Sequence, residues 1–440
     1  MDVRGRRNSG GMVTDLPLQS MPDRRALSTL TRTIEPMRSV ELFAGAGGLA
    51  LGCEMAGFRA SQVVEWDRWA CDTMRENSAT GYPLVANWNV CEGDVRDVDW
   101  TVVEGPVDLV TGGPPCQPFS MGGKHGAADD PRDMFPATAE VIAALRPRAF
   151  IVENVKGLTR AAFQNYFTYI LLRLEMPELT AKPGESWYDH LMRLQAEHTT
   201  AHYVGLRYNV VPTLVNAADF GVPQQRHRVF IVGFRSDQDA EWSFPDPSHS
   251  KDSLLHSQWI TGEYWDRHGV ARRARPPAPS KSALDKLAAL DTSALLSPWK
   301  TVRDALEGLP EPTKKSSPIF PNHIRQDGAR QYPGHTGSPV DLPSKALKAG
   351  GHGVPGGENM MLKVDGSVRY FTVRESARIQ TFPDQYVLHG AWGEAMRQLG
   401  NAVPVLLAQR VAGSVRTGLE VAQARETMQA VARRPEIAAP

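Results

Sequence analysis

The sequence predicts an α/β protein: a doubly wound, mostly parallel sheet with a second, smaller and loop-rich domain. Two observations carry this. Between Ser39 and Arg235 short apolar runs alternate with helical patterns, the order that builds a parallel sheet covered on both faces. After Arg235 the composition changes. Proline clusters lie at Pro245–Pro247, Pro276–Pro279 and Pro310–Pro321, and the stretch from Gly334 to Asn359 is dense in Gly, His and Pro.

The strands fit Val40–Phe43, Ala60–Glu65, Val107–Thr111, Ala149–Val152, Tyr208–Leu214 and Val229–Phe234. A helix is expected over Pro136–Leu145. Proline suits its first turn, Val141, Ile142 and Leu145 share a face, and Pro147 follows the end. Thr301 and Asp304 read as a capping box opening a short helix to Glu307, stopped by Gly308. Pro404 opens a final helix with Leu407, Val411 and Val415 on one side. This divides the chain into a basic, loosely attached arm (1–37), a catalytic domain (38–235), a recognition domain (236–371) and a return segment completing the first domain (372–440).

The chain has 440 residues, with 49 basic and 49 acidic side chains. A zero balance counts mildly against nucleic acid, but charge can be segregated to one face. The four cysteines, Cys53, Cys71, Cys91 and Cys116, form no C-x-x-C pair, so neither a zinc site nor a disulfide framework is expected, and no metal. Scattered cysteines suit a reducing compartment. No apolar run is long enough for a membrane, and no apolar segment follows Arg4, Arg6 and Arg7 as in a signal peptide. A cytoplasmic protein is expected.

Two motifs carry chemistry. Val40-Glu41-Leu42-Phe43-Ala44-Gly45-Ala46-Gly47-Gly48-Leu49 reads as strand, tight turn and helix, with glycines letting a ligand approach the backbone. Glu65, twenty residues past Gly45, suits ribose hydroxyls. By itself this stretch also fits a dinucleotide fingerprint or a ligand-free turn. Asp94 is a second acid, placed after the third strand to reach an adenine. The second motif is Asp108-Leu109-Val110-Thr111-Gly112-Gly113-Pro114-Pro115-Cys116-Gln117-Pro118-Phe119-Ser120. Two glycines turn the chain and two prolines stiffen it, presenting a thiol at the carboxyl end of the sheet. Lowering the thiol pKa from about 8.5 towards 7 raises its reactive fraction roughly tenfold. A lone cysteine is otherwise a small buried hydrophobe.

These motifs resemble those of the DNA cytosine-5 methyltransferases, bacterial restriction-modification type. Pro114-Pro115-Cys116-Gln117 is similar to their catalytic segment, and Phe43-x-Gly45-x-Gly47-Gly48 to their S-adenosylmethionine turn. Glu153-Asn154-Val155, Gln224-Gln225-Arg226-His227-Arg228, Arg374-Glu375 with Gln380-Thr381-Phe382-Pro383, and Gly400-Asn401-Ala402-Val403 follow in the family's order. The likeness covers about residues 38–415. It implies a Rossmann-like methyltransferase fold acting on double-stranded DNA as a monomer, with a separately acting restriction endonuclease as partner.

The resemblance assigns Cys116 the attack on cytosine C6 and Glu153 the donation to ring N3. A buried carboxyl beside a thiolate keeps its proton. Arg228 places the base through its carbonyl, and Arg226 supports the site or the DNA backbone. The cofactor pocket would comprise Phe43, Gly45, Gly47, Gly48, Glu65, Trp66, Asp94, Val95, Pro114, Phe135, Asn401 and Val403, with S-adenosylhomocysteine as product. Gln117, Ser120, Gly122, Lys124 and Asn154 would meet the substrate. Ser120–Arg132 reads as a lid over a flipped base.

Within 236–371, Gly334–Ser338 and Gly350–Gly353 are expected to read DNA, and Arg272, Arg273, Arg275 and Lys281 to meet phosphates. Two departures stand out: Ala346-Leu347 where the family often has Thr-Leu, and Ala402 where Ser is common. An RNA-methylating relative would carry Cys-Phe-Thr in its recognition region, and no cysteine follows Cys116. An NAD-dependent oxidoreductase would leave Cys116, Glu153 and Arg228 without a task. A silent DNA-binding protein would lack one of them.

Overall fold

The computed structural model describes residues 36–115, 133–200, 202–315, 317–349 and 357–432. The N-terminal arm, the lid segment and the loop Gly350–Gly353 lie outside the described residues. Seven strands make one sheet: β1 (Met37–Leu42), β2 (Phe58–Glu65), β3 (Val90–Glu92), β4 (Leu109–Gly112), β5 (Ala149–Val155), β6 (Tyr208–Asn216) and, after the two-residue β7 (Gln224–Gln225), β8 (His227–Arg235). Their order is β3-β2-β1-β4-β5-β8-β6. The first five run parallel, and β8 lies antiparallel to both β5 and β6. The chain leaves β1 towards β2 on one side and returns to β4 on the other. Beyond the carboxyl end of β1 the connections therefore diverge and open a crevice, the place where ligands settle in such sheets.

Alternation along the strands supplies both faces of the sheet. Val40, Leu42, Val110, Phe150, Val152, Val229 and Ile231 point to one side, where they meet residues of α3 (Phe135–Leu145), α4 (Gln164–Glu175) and α5 (Trp187–Thr200); the helices α1 (Gly48–Met55) and α2 (Arg68–Ala79) precede these in the chain. Leu109, Ala149, Ile151, Phe230 and Val232 point to the other, onto Leu49 and Cys53 of α1 and onto the C-terminal helix Val405–Ala432. That helix presents Leu407, Val411 and Val415, all fully buried, as the spacing predicts. Pro136 sits in the first turn of α3, which starts one residue earlier than expected. The helix over Val302–Leu306 carries the predicted box between Thr301 and Asp304.

One difference bears on function. The expected strand Ala149–Val152 runs on to Val155, so Glu153 and Asn154 lie inside the sheet instead of past its end. Pairing with β8 as far as Val155↔Arg228 extends it, because each added residue gains a ladder bond.

A second polar group is sealed beneath the sheet. Glu41, between Val40 and Leu42, faces α1, where Thr111 of β4 donates to its carboxylate. Burial pushes Glu41 up to about 7, against the pull of Thr111 and Ser39. A carboxyl raised in the fold stabilises fully below its unfolded pKa of about 4.3, and that contribution is lost as pH rises through the folded value. The affected window is about pH 4.3 to 7. Glu41→Gln is therefore expected to gain about 2.5 kcal/mol on wild type between pH 5 and pH 8. Urea unfolding of both proteins at the two pH values measures this, and an equal difference at both would refute it.

Candidate active site

The carboxyl edge around β1 and β2 is built by backbone turns. Phe43 leaves β1 at φ 52° and Gly45 follows at φ 55°. A left-handed phenylalanine is strained, and such residues persist where the surroundings fix them. Two residues on, the turn is pinned at Gly45 by Glu65, the last residue of β2. One carboxylate oxygen accepts from Gly45 N at 2.7 Å, and the other from Trp66 N and Asp67 N at 2.9 and 2.8 Å. Burial pushes the Glu65 carboxyl up, and these three amides pull it down. Gly45 is open on its side-chain face, with no heavy atom within 4 Å of where a Cβ would stand, and Trp66 is 71% exposed beside it. Gly48 is closed: a Cβ there would lie 2.4 Å from Val403 O, so only glycine lets the C-terminal segment dock on the turn. That contact brings exposed Asn401 and buried Val403 to the same crevice. An open backbone turn, a buried carboxylate and an exposed indole at one sheet edge fit a nucleoside-bearing cofactor.

Asp94 caps a single turn over Val95–Asp97. Its carboxylate is held by Arg96 at 2.9 and 2.6 Å, which lowers its pKa. Val95 and Phe135 are buried beside this edge, both in the core on the α3 side of the sheet.

Two strands further along, Glu153 is buried on β5 and Arg228 enters β8 on the same face of the sheet. Arg228 Nε lies 2.6 Å from Glu153 Oε1. Burial pushes the Glu153 carboxyl above its ordinary range, and Arg228 and Arg226 oppose the shift. Above Glu153 lies Gly113, where an added Cβ would come within 3.2 Å of Oε2. Asn154 Nδ2 donates to Pro114 O at 3.1 Å, and its Oδ1 accepts from Val155 N at 2.8 Å. The turn that leads into Cys116 is thus fastened to β5. Cys116, Gln117, Ser120, Gly122 and Lys124 lie outside the described residues.

Arg226 takes a different place from Arg228. It is fully enclosed, donating to Leu347 O at 2.9 Å, Gly400 O at 2.7 Å and Ala402 O at 3.0 Å. Gln224 and Gln380, which sequence reasoning left without roles, complete this junction. Gln224 accepts from Leu347 N and donates to Gln380 Oε1, both at 3.0 Å, and Gln380 Nε2 donates to Ala402 O at 3.2 Å. The departing segment Ala346-Leu347 therefore serves here through its backbone. The strand Ser344–Lys345 beside it pairs in parallel with β7.

A model of the C-5 cytosine-specific DNA methylases matches residues 37–177 and 194–417. The chain is 32% identical to the Type II methyltransferase M.PspPI of a Psychrobacter species, over 87% of this chain and 80% of that one. It is 30% identical to M.NgoPII of Neisseria gonorrhoeae, over 88% and 98%. The solved structure of a DNMT2 variant from Spodoptera frugiperda superposes with a TM-score of 0.52 at 16% identity, over 86% of this chain and 99% of that one, which shows the shared fold. With the family model spanning the sheet, the turn at Gly45 and the Glu153–Arg228 pair, the chain belongs to the C-5 cytosine-specific DNA methylases and transfers a methyl group to carbon 5 of cytosine in DNA.

Proposed function

We propose that the enzyme works through a covalent bond between Cys116 and C6 of a cytosine turned out of double-stranded DNA, within one short sequence. The buried Glu153–Arg228 pair, set under the Gly113-Pro114 turn that runs into Cys116, carries this reading. The Cys116 thiolate adds to C6, and the displaced electron pair makes C5 nucleophilic. Glu153, whose hold on a proton is strengthened by burial, donates to N3 and makes the ring a better acceptor. Arg228 reaches the base carbonyl while orienting Glu153. After C5 has taken the methyl group, its proton leaves to a base, the Cys116–C6 bond breaks and the thiolate returns.

S-adenosylmethionine, when bound, supplies an activated methyl group and departs as S-adenosylhomocysteine. Glu65 would hold its ribose and Trp66 its adenine, with Phe43, Gly45, Gly47, Gly48, Val95, Pro114, Phe135, Asn401 and Val403 enclosing it. Asp94, paired with Arg96, contributes through its turn. Asn154 serves by holding Pro114, and Arg226 by holding the junction. Gln117, Ser120, Gly122 and Lys124 would close over the flipped base, and residues 236–371 would read the sequence. On this reading the enzyme acts as a monomer, beside a separate restriction endonuclease.

Labelled S-adenosylmethionine with unmethylated plasmid, followed by bisulfite sequencing, is expected to place the label at C5 in one sequence context. Label on tRNA and none on DNA would overturn the substrate. With 5-fluorocytosine in that context no C5 proton can leave. The reaction then stops as a denaturation-stable adduct, expected on the Cys116 peptide. A turnover-competent enzyme that forms no adduct would exclude the covalent route.

A further inference from the structure

The net charge of the chain is zero, so a surface that holds DNA must be made by unpaired cations gathered at one place. The two ends of β5 and β8 differ in this respect. At the end far from Glu153, Arg146 pairs with Glu178 at 3.2 Å, Arg148 with Asp108 at 3.2 Å and Arg235 with Asp237 at 2.7 Å. At the near end, Lys156 follows β5 directly. It is exposed, and among the described residues no carboxylate lies within ion-pair distance of it.

Register places its neighbour. Val155 pairs with Arg228, so Lys156 and His227 meet across the end of the sheet. His227 is exposed, because alternation along β8 turns it to the opposite face from Arg228. Partial desolvation of its ring, with Lys156 nearby, holds His227 below the usual range, while Asp219 pulls it up. A nucleotide whose base reaches Glu153 leaves its own phosphates at the rim of the pocket. Lys156 opens the turn that leaves β5, three residues beyond Glu153.

We propose that Lys156 grips a phosphate of the DNA strand carrying the target cytosine, with His227 as a hydrogen-bonding neighbour beside it. The assignment rests on the reading that Glu153 and Arg228 hold the flipped base. A charged contact of this kind releases counterions, so it has a signature that a structural role lacks. Each neutralised phosphate contributes about −0.9 to the slope of log K against log salt.

The test is duplex binding by fluorescence anisotropy from 50 to 200 mM NaCl, with S-adenosylhomocysteine present, beside steady-state kinetics on the same duplex. Lys156→Ala is expected to make the slope shallower by about 0.9 and to raise KM for DNA more than it lowers kcat. Lys156→Arg is expected to restore the slope. His227→Ala should weaken binding at every salt concentration with the slope kept. An unchanged slope in Lys156→Ala, with wild type methylating the duplex normally, would overturn the grip alone. A wild type that binds DNA with the expected slope difference but methylates no cytosine would overturn the reading of the site and leave the grip standing.

Discussion

Methyl transfer is expected to vanish in Cys116→Ala and to fall by about 10²–10⁴-fold in Glu153→Gln, the range for loss of a positioned general acid. The two losses have different causes and different pH signatures. In the proposed mechanism Cys116 attacks as a thiolate and Glu153 acts as an acid, so wild-type kcat/KM should rise with pH as the thiol ionises. Glu153 must hold its proton, and burial raises its pKa, so activity should fall again as pH passes through that raised value. The result is a bell. Glutamine keeps the size of the side chain and a hydrogen bond to Arg228 but has no proton to give. Glu153→Gln should therefore keep the rising limb and lose the falling one. A falling limb that survives in Glu153→Gln would assign it to another group, and a variant within a few-fold of wild type would remove Glu153 from the chemistry. Circular dichroism of the variant guards against a folding defect, since the neutral amide relieves the desolvation that the buried carboxylate meets.

Much of this was legible before any coordinates. The apolar runs at Val40–Phe43 and Val229–Phe234 locate the sheet because a strand covered on both faces needs a short, nearly continuous apolar run, which is read residue by residue. The glycine turn and Glu65 were marked by their spacing, whereas Glu153 and Arg228 were singled out only through the family resemblance, and their pairing across β5 and β8 is a tertiary fact. Three further features were not legible. Phe43 in the left-handed region has no sequence sign, and the turn it opens is pinned at Gly45 by Glu65 from another strand. Glu41 is sealed under α1, and nothing in its own stretch marks it, because two-sided cover is a tertiary fact. The Gln224–Arg226–Gln380 junction joins residues more than a hundred positions apart, mostly through backbone carbonyls that any side chain could accompany. Ala346-Leu347 looked like a departure from the family for the same reason. It is the Leu347 carbonyl and amide that the junction uses.

Arg226→Ala is expected to cost about 3–5 kcal/mol in stability, the range for breaking a buried charged network. The guanidinium satisfies three buried carbonyls at once, those of Leu347, Gly400 and Ala402. Each unsatisfied partner costs on the order of 1–3 kcal/mol where water cannot enter. Burial lowers the Arg226 pKa, with Arg228 adding to the shift and Glu153 opposing it. The fold therefore bears the cost of a buried cation in return for joining three distant segments. Lysine is a point charge without the planar fork, so Arg226→Lys should recover only part of the loss. Because Gly400 and Ala402 flank Asn401, the surviving activity of either variant should show a raised KM for S-adenosylmethionine, with the pH profile of kcat unchanged. That split separates Arg226 from Arg228, whose contact with Glu153 should make Arg228→Ala alter the pH profile itself. Urea unfolding with kinetics at two cofactor concentrations decides the matter. An Arg226→Ala protein of wild-type stability with a collapsed kcat would place Arg226 on the substrate. A destabilised protein with a nearly normal kcat at saturating cofactor makes it the residue through which the recognition segment and the cofactor loop are held to the catalytic strand.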